Sequence, residues 1–589
     1  MIKRTHHCNQ LNLDHQGQTV RLMGWVNNYR DHGGVIFIDL RDREGITQVV
    51  FHPENPHSLD LANSLRNEDV IAIDGTCIKR EATANKKLFT GEIEVDVTGL
   101  ELLNKSQTPP FKPSEAEKVS EDIRLKYRYI DLRNERMQTN LKVRHRVTKI
   151  MRDYLDADGF YEIETPFLCK STPEGARDFL VPSRLQNGAF YALPQSPQIF
   201  KQILMCGGVE KYMQIARCFR DEDPRADRQA EFTQLDIEMS FIDVDDILNL
   251  VEGLVRRIWK VILDVDVPAI TRLSYAECMR RYGSDRPDLR FGMELIDIAD
   301  LAEQTDFSVF KNALSHGGKV NCICVPGGAS MTRKQTDALA EFVKDFGAKG
   351  LAVAKVGANG KIETGIAKFI QAIAPELIER TGAKEGDLLC FAADTGKIVL
   401  RTLGELRVKL AHDLNMIKQG DWQWVWVVDF PALEWNEDEK RWDSLHHPFT
   451  SPRAEDIDKL ESDTAHVLSD AYDLVVNGSE IGGGSIRIHD PALQSRIFAL
   501  LGLSAEDARE KFGFLLDALA FGAPPHGGLA LGLDRVVMHL VDTTNIKDVI
   551  AFPKTQNGND LMSDAPSMVE NKQLEELHIR KIDQVVMPS

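Results

Sequence analysis

The chain contains 589 residues, of which 43% are hydrophobic and 27% are charged, the balance of a globular protein with several domains. A formal net charge of −19 argues against a generic binder of polyanions, although one domain can still present a local nucleic-acid-binding face. The nine cysteines form no CxxC pair, so neither a zinc site nor a disulfide framework is expected. The first residues lack the apolar core of a signal peptide, and no apolar run reaches about 18 residues, so a membrane span is not expected and the cytoplasm is the expected location.

Residues 1–104 are predicted to form a small β-barrel. Five alternating or β-branched runs predict strands, namely TVRLMGWVNNYR, GVIFIDLRD, TQVVFHP, VIAIDGTCIKR and EIEVDVTGLELL. A helical stretch, SLDLANSLRNED, lies between the third and the fourth. Five strands with a helix after the third are typical of an OB-fold, a common oligonucleotide binder, although small SH3-like barrels give similar patterns.

Residues 105–140 form a predicted linker or hinge that is rich in proline and lysine at its start. Helical periodicity begins at Ile123, and LKVRHRVTKIMRDYLDADGF predicts a long amphipathic helix that ends at Gly159. The next run, FYEIETPFLCK, predicts a strand that reaches Pro166. Helices and strands then alternate to about residue 285.

Residues 286–420 predict a small α/β module that carries none of the chemistry described below and is interpreted as an insertion. Strands and helices resume over 421–560, and the polar tail 561–589 is expected to cap the domain. The whole is therefore predicted to be an α+β protein with several domains, in which 141–285 and 421–560 form one interrupted domain.

If a nucleotide binds to this protein, side chains have to hold its phosphates. It contains no GxxxxGK[ST] loop and no GxGxxG between a strand and a helix. Arg220 and Arg535 could grip phosphates, since a guanidinium pairs with phosphate oxygens in two places. Phe232 could stack on a base, and Asp473 and Glu480 are hard oxygen ligands suited to Mg²⁺. Each taken alone has a structural explanation, such as a surface salt bridge or a core aromatic.

Three stretches together resemble a known family. GFYEIETPFL, FRDEDPRADRQAEFTQLDIE and GLALGLDR occur in this order and resemble motifs 1, 2 and 3 of the class II aminoacyl-tRNA synthetases, whereas the class I signatures HIGH and KMSKS are absent. The OB-like barrel narrows the resemblance to the aspartyl, asparaginyl and lysyl subgroup. STPEGARDFLVPSR, LPQSPQIFKQ, HHPFTSP and GSEIGGGSIRIH are similar to the aspartyl enzymes, and the inserted module resembles the GAD-like domain of their bacterial type.

This resemblance implies an enzyme that uses ATP and Mg²⁺ to convert L-aspartate to aspartyl-adenylate, with release of pyrophosphate. The enzyme would then transfer aspartate to the 3′ end of tRNA-Asp. It also implies an antiparallel-sheet catalytic domain and a homodimer whose interface lies near Pro166. Two rivals remain open. One is a lysyl or asparaginyl enzyme of the same subgroup, and the other is a catalytically inactive relative that binds RNA.

The resemblance also implies site residues. Arg220 and Arg535 would be catalytic, holding the α- and γ-phosphates, with Arg225 and Arg228 near the triphosphate. The implied aspartate pocket comprises Glu174, Ser196, Gln198, Ile199, Phe200, Lys201, Arg220, Asp236, His446 and Arg487. The implied ATP site comprises Arg220, Asp221, Glu222, Gln229, Phe232, Glu480, Gly532, Leu533, Asp534 and Arg535, with Asp473 and Glu480 as Mg²⁺ ligands. The pair of histidines at 446 and 447, taken alone, would more often be a partly buried hydrogen-bonded pair.

The barrel would read the anticodon, because single-stranded bases are splayed out and stacked on aromatic side chains. By resemblance, Phe37 would stack on a base, while Gln48, Glu94 and Arg30 would contact bases or the backbone. RDHGGVIF, which contains His32, and FPKTQNGNDLMSDAPS resemble the corresponding segments of the enzymes that also charge tRNA-Asn. Strictly tRNA-Asp-specific enzymes often carry leucine at the position of His32. Thr83 is a second position for tRNA discrimination, where the relaxed group often has other small residues, so strict specificity stays the alternative.

Overall fold

The computed structural model of the protein describes residues 3–80, 83–172, 176–222 and 226–581. The chain divides into two compact units. The first unit comprises Met1–His145, Asp223–Gln229 and Val541–Val569, and the second comprises Arg146–Glu222, Ala230–Leu540 and Glu570–Ser589.

The first unit contains a closed five-stranded barrel. Its elements are β1 (Thr19–His32), β2 (Val35–Arg41), β3 (Ile46–Phe51), α1 (Pro56–Asn63), β4 (Val70–Lys79) and β5 (Ile93–Asn104). The strand order is β1-β2-β3-β5-β4, with β3 and β5 parallel and the other pairs antiparallel. The five predicted strands and the helix after the third are confirmed, and the OB-fold assignment with them.

Alternation of apolar and polar residues builds this barrel. Leu22 and Val26 on β1 and Ile36 and Ile38 on β2 point inward and are fully buried or nearly so. Closing the sheet on itself leaves no unpaired strand edge. Helix α1 begins after Asn55, whose side chain accepts a hydrogen bond from the backbone within the first turn.

The remainder of the first unit joins the linker to residues 541–569. Helices α2 (Glu121–Lys126) and α3 (Arg128–Asp131) precede the long helix α4 (Glu135–Ala157), which begins in the first unit and continues into the second. The buried guanidinium of Arg128 donates to the carbonyl oxygens of Ile550 and Ala551 at 2.8 and 2.9 Å and pairs with Asp131 at 2.6 Å.

The second unit opens with the end of α4 and one half of an interrupted domain. Its elements are β6 (Tyr161–Glu162), β7 (Leu180–Pro182), β8 (Phe190–Ala192), α5 (Gln198–Cys206), β9 (Lys211–Phe219), β10 (Glu231–Ser240), α6 (Val244–Leu263), β11 (Thr271–Ser274) and α7 (Tyr275–Tyr282). The predicted strand to Pro166 is wrong in length, because β6 ends at Glu162. The Ile163 N–H still reaches the carbonyl of Met213, but the following residues approach Pro166, which has no N–H and restricts the residue before it.

The inserted module is a five-stranded sheet with helices. Its elements are β12 (Ile296–Asp297), α8 (Ala299–Glu303), α9 (Ser308–Ser315), β13 (Lys319–Val325), α10 (Arg333–Phe342), β14 (Ala352–Val356), β15 (Ile362–Glu363), α11 (Ala367–Ile370), α12 (Ala374–Thr381), β16 (Leu388–Asp394) and α13 (Gly396–Asp413). The strand order is β12-β13-β16-β14-β15, all antiparallel. Apolar side chains cover both faces of this sheet in two separate clusters.

The interrupted domain then resumes. Its remaining elements are β17 (Trp424–Pro431), β18 (Leu433–Asn436), β19 (Arg441–Ser444), β20 (Leu468–Val476), β21 (Ser479–Ile486), α14 (Pro491–Leu500), α15 (Ala505–Ala520), β22 (His526–Gly532), α16 (Leu533–Leu540) and, in the tail, α17 (Asn571–Glu576). The two halves share one sheet of order β11-β17-β20-β21-β22-β10-β9-β6, antiparallel except at its two edge pairs. No helix in the described part of the chain has both the length and the apolar content needed to cross a membrane.

Candidate active site

Glycines on the central strands make room for carboxylates on their neighbours. Gly528 on β22 lies opposite Glu238 on β10, and a Cβ atom at position 528 would be 2.0 Å from Glu238 Oε2. Gly483 on β21 lies opposite Asp473 on β20, and a Cβ there would be 2.3 Å from Asp473 Oδ1. The glycine-rich stretches of the sequence therefore create space for charged side chains above the sheet.

One end of the site is a buried cluster of two cations and two anions. Lys201 Nζ on α5 donates to Asp236 Oδ1 at 2.9 Å and lies 3.3 Å from Glu238 Oε2. Arg487 donates from Nε and Nη2 to the two oxygens of Glu238, at 2.9 and 3.1 Å. None of the four residues is more than 1% exposed. Burial alone would raise the pKa of Glu238, but the charges of Arg487 and Lys201 overcome it, and the pKa lies below its ordinary value.

Two histidines flank the cluster. His447 Nε2 lies 2.7 Å from Arg487 Nη1, and since a guanidinium can only donate, Nε2 is the unprotonated nitrogen. Burial and then the charge of Arg487 lower the pKa of His447 well below its ordinary value and that of His446 to about 4. His446 packs against the ring of Phe430 with its Nε2 3.3 Å from Asp473 Oδ1. Both histidines are therefore neutral near pH 7.

The other end of the site holds arginines from two distant segments. The guanidinium of Arg220, directly after β9, lies over the ring of Phe232 on β10, 5.0 Å from its centre. Arg535, in the first turn of α16, donates from Nη1 to the carbonyl oxygen of Glu480 at 2.8 Å. Glu480 lines the same cavity as Arg220, whereas Arg535 is not among the described residues that line it and reaches the site through the backbone of Glu480.

Two carboxylates face each other between these ends. Burial, with the negative charges of Glu480 and Asp285, raises the pKa of Asp473 well above its ordinary value. Like charges forced together in this way favour a bound cation. In the described ranges, no group of three or more His, Cys, Asp or Glu side chains could hold a metal ion by itself.

A cavity of about 440 Å³ connects the two ends. The predicted residues that line it are Ser196, Gln198, Lys201, Arg220, Glu222, Asp236, His446, Asp473, Glu480 and Arg487. The structure thus brings together ten predicted residues that are distant in sequence.

The barrel carries a second polar cluster. Arg30 makes two hydrogen bonds to Asp39, at 2.6 and 3.0 Å, and a third to Gln48 Oε1 at 3.2 Å. Gln48 Nε2 in turn donates to Glu94 Oε2 at 2.7 Å. Phe37 lies directly opposite Arg30 on the neighbouring strand and is half-buried.

The two residues predicted for tRNA discrimination are both exposed. The ring of His32 contacts that of Phe37 edge-on, with 5.7 Å between their centres, and Thr83 lies in the loop between β4 and β5.

Comparison with known proteins identifies the family. The model of tRNA synthetases class II (D, K and N) matches residues 120–556, and the model of the OB-fold nucleic acid binding domain matches residues 20–103. The chain belongs to the class II tRNA synthetases. The sequence-based assignment of family and fold class is confirmed.

Relatives resemble this synthetase along its whole length. A protein from Caldanaerobacter subterraneus subsp. tengcongensis named Aspartate--tRNA(Asp/Asn) ligase is 54% identical over 586 residues, which cover 99% of each chain. A protein from Staphylococcus carnosus named Aspartate--tRNA ligase is 53% identical, covering 98% of this chain and 100% of its own. Asparaginyl-tRNA synthetase from Pyrococcus horikoshii, solved with asparaginyl-adenylate, matches 94% of this chain and 99% of its own with a TM-score of 0.59. At 19% identity that likeness concerns the fold alone.

Two residues predicted for the aspartate pocket of the synthetase face elsewhere. On α5, Gln198 and Lys201 are three positions apart and share the face that lines the cavity. Ile199 and Phe200 are not among the described residues that line this cavity. Both line a neighbouring pocket next to Cys169. Helix periodicity separates these two from the pocket, a distinction that a contiguous motif does not reveal.

Several residues predicted for the nucleotide have structural partners. Asp534 Oδ2 accepts the N–H of Thr233 at 2.9 Å, and the Asp221 N–H donates to the carbonyl of Arg177 at 3.0 Å. Gly532 ends β22 and the buried Leu533 begins α16. Gln229 belongs to the first unit, where its amide bonds both backbone groups of Lys554. Arg228 is exposed in the same unit, and Glu174 and Arg225 lie outside the described residues.

Sequence reasoning missed several residues that the synthetase places in the site. Among them, Glu238 belongs to the buried charge cluster, His447 flanks it, and Gln195 and Asp285 line the cavity. Glu238 was detectable, since it lies two positions after Asp236 on the same strand and side chains two apart share a face. Asp285 has no such signal, because it lies in the loop that leads into the inserted module.

Proposed function

We propose that this synthetase is an aspartate–tRNA ligase. It joins L-aspartate to ATP as aspartyl-adenylate, releasing pyrophosphate, and then transfers aspartate to the terminal ribose of a tRNA. The observation that carries this proposal is the buried pair of Lys201 and Arg487 at one end of a cavity whose other end presents Arg220. A full-length relative with 54% identity carries the same activity in its name.

The charge cluster explains the choice of amino acid. Lys201 and Arg487 meet the side-chain carboxylate of aspartate. The guanidinium of Arg487 is held in one orientation, because Glu238 accepts from Nε and Nη2 while His447 Nε2 and Ser485 Oγ accept from Nη1, which leaves the second N–H of Nη2 as a donor. The neutral amide of asparagine cannot satisfy two cations equally, and its NH₂ group would face N–H donors. His446 and His447, neutral at pH 7, add no repulsion to the ammonium group of the substrate. Acidic residues such as Asp236 remain the predicted partners of that ammonium, and Glu174 remains a predicted residue of the same pocket.

The opposite end suits ATP. Arg220 would stabilise the charge that develops on the α-phosphate while the aspartate carboxylate attacks, and Arg535 would grip the γ-phosphate. Because Arg535 is fixed on the Glu480 carbonyl and Arg220 on the Phe232 ring, both are oriented before the nucleotide arrives. The ring of Phe232 contacts the guanidinium of Arg220 and is predicted to contact adenine as well.

The paired carboxylates fit a magnesium ion. Asp473 and Glu480 would hold it, and the neighbouring Gly483 leaves the space that their side chains need. Mg²⁺ is usually bound through one or two carboxylates, with phosphate and water oxygens as the other ligands, which matches a site without a third protein ligand in the described ranges. When bound, the ion would neutralise phosphate charge.

The barrel is proposed to read the anticodon of tRNA-Asp and of tRNA-Asn. Arg30, Gln48 and Glu94 form one hydrogen-bonded row whose remaining donors and acceptors suit base edges, and Phe37 offers a stacking face. Exposed His32 beside Phe37 supports acceptance of both tRNAs. The enzyme would work in the cytoplasm as a homodimer, for which the exposed Phe167 and Leu168 after β6 supply apolar surface.

Charging of purified tRNA-Asp and tRNA-Asn with labelled aspartate tests these proposals. Similar yields on both tRNAs are expected. A large preference for tRNA-Asp would support the ligase activity but would show that the enzyme is strictly specific for tRNA-Asp. Absence of aspartate-dependent charging on either tRNA would refute the proposed function.

A further inference from the structure

A row of three amide and imidazole side chains runs from the cavity into the core. Gln198 on α5 donates from Nε2 to Gln202 Oε1, one turn further along the helix, at 3.0 Å. Gln202 Nε2 lies 3.4 Å from His526 Nε2 at the start of β22, and His526 Nδ1 lies 2.8 Å from the carbonyl oxygen of Pro524. Gln202 and His526 are fully buried, and only Gln198 reaches the cavity.

The chemistry of the last partner fixes the direction of this row. A carbonyl oxygen can only accept, so His526 carries its proton on Nδ1 and donates it to Pro524. Burial lowers the pKa of His526, which keeps the imidazole neutral and leaves Nε2 as an acceptor. Gln202 must then turn its NH₂ group to His526 and its carbonyl oxygen to Gln198. Gln198 can satisfy that oxygen only with its own NH₂ group.

The row therefore determines which end of the Gln198 amide remains for a ligand. Because Nε2 is turned toward Gln202, Oε1 is the end of the amide that points away from that partner, and within the described chain this acceptor has no hydrogen-bond partner. A carbonyl oxygen stabilises an ammonium group and repels a carboxylate. The reversed amide would present N–H donors to the cavity and do the opposite.

We propose that His526 and Gln202 are positioning residues that lock the Gln198 amide so that its carbonyl oxygen accepts a hydrogen bond from the α-ammonium group of bound aspartate. Neither residue touches the substrate; each acts through the next side chain in the row. The inference rests on the proposed function, since it concerns how the same cavity recognises its amino acid. Lys201 and Arg487 select the carboxylate, and the relay selects the amine.

The test compares aspartate with succinate, which has the same two carboxylates and no amine. Gln202→Met keeps the volume of the side chain and removes both of its polar groups. In this variant the dissociation constant for aspartate is expected to rise about tenfold, equivalent to about 1.4 kcal/mol, while that for succinate stays within about twofold. The KM for ATP is expected to stay unchanged. Equal weakening of both ligands, or no change in their ratio, would overturn the relay.

Gln202→Glu is the conservative control. One carboxylate oxygen still accepts a hydrogen bond from Gln198, and the other accepts a hydrogen bond from the Nε2–H of a doubly protonated His526, so the direction of the row survives. The ratio of aspartate to succinate affinity is expected to return to within about threefold of the wild-type value. A loss as large as that of Gln202→Met would contradict the mechanism.

A measurement on the wild-type protein covers the case in which the methionine variant does not fold. In the ¹⁵N spectrum of labelled histidine, His526 is expected as the Nδ1–H tautomer, and an Nε2–H tautomer would overturn the proposal. The outcomes also separate the relay from the proposed function. Wild-type protein that binds no aspartate refutes the function, whereas normal binding with an unchanged ratio in the methionine variant refutes the relay alone.

Discussion

The substitution Glu238→Gln tests whether the buried charge cluster both stabilises the fold and orients Arg487. Glu238 is fully buried, accepts two hydrogen bonds from Arg487 at 2.9 and 3.1 Å, and lies 3.3 Å from Lys201 Nζ. The amide removes the negative charge that lies against both cations, so Lys201 and Arg487 keep Asp236 as their nearby counter-charge.

The magnitude follows from these contacts. Removing one partner of a buried ion pair costs about 3–5 kcal/mol, because the remaining charge is left uncompensated. The amide oxygen can keep one of the two hydrogen bonds from Arg487, which recovers about 1 kcal/mol. A loss of about 2–4 kcal/mol in the free energy of unfolding is therefore expected at pH 7.

The pH dependence of this loss has a definite sign. The pKa of Glu238 is lowered from its ordinary value of 4.5 in the folded protein, so its ionised form contributes stability above that value. The contribution falls away as the pH drops through the lowered pKa. The difference between wild type and Glu238→Gln should therefore hold from pH 6 to 8 and shrink in acid.

Urea unfolding and ATP–pyrophosphate exchange measure the two consequences. Glu231→Gln is the matched control, since Glu231 lies on the same strand and pairs with Arg217 at 3.1 Å with both side chains about 30% exposed. Its expected cost is about 0–1 kcal/mol. Glu238→Gln should also raise the KM for aspartate at least about tenfold, because the guanidinium loses its fixed direction. Equal stability of the two variants, or tighter aspartate binding in Glu238→Gln, would refute this reasoning.

Three further substitutions test other parts of the structure. Gly483→Ala places a Cβ 2.3 Å from Asp473 Oδ1 and should reduce pyrophosphate exchange more than about tenfold with a raised KM for ATP, and a Mg²⁺ titration checks whether the metal requirement moves with it. Asp470→Asn removes a carboxyl whose pKa burial raises to about 6, so the wild type loses free energy of unfolding when this group ionises. As the pH rises from 4 to 7, the variant should therefore gain about 1–3 kcal/mol in free energy of unfolding relative to the wild type, measured from the Tm of both proteins at the two pH values. Arg407→Met leaves three carbonyl oxygens without the buried guanidinium that binds them at 3.0–3.3 Å, and thermal unfolding should show a loss of about 3 kcal/mol.

The barrel and the sheet elements were largely predictable because their strands follow a period of two. The length of β6 was not, since the run to Pro166 has strand character but its pairing stops at Met213, although the parallel partner β9 continues to Phe219. The prediction for Ile199 and Phe200 failed to separate the faces of α5, although the spacing of Gln198 and Lys201 contains that information.

The charged residues of the predicted aspartate pocket, Lys201, Asp236 and Arg487, came from the family resemblance and not from local patterns. Arg487 and Glu238 are 249 positions apart in sequence, and only the register of β10, β22 and β21 brings them together. The direction of the relay through His526 depends on a backbone carbonyl, which no sequence motif encodes.

The most direct test of the account is ATP–pyrophosphate exchange by the wild-type protein with aspartate or asparagine as the amino acid. Lys201 and Arg487 at one end of the cavity predict a preference for aspartate of at least about 100-fold in kcat/KM, because the NH₂ group of asparagine would face N–H donors where aspartate presents a second carboxylate oxygen. Exchange that does not depend on aspartate, or that asparagine supports equally well, would contradict the central claim.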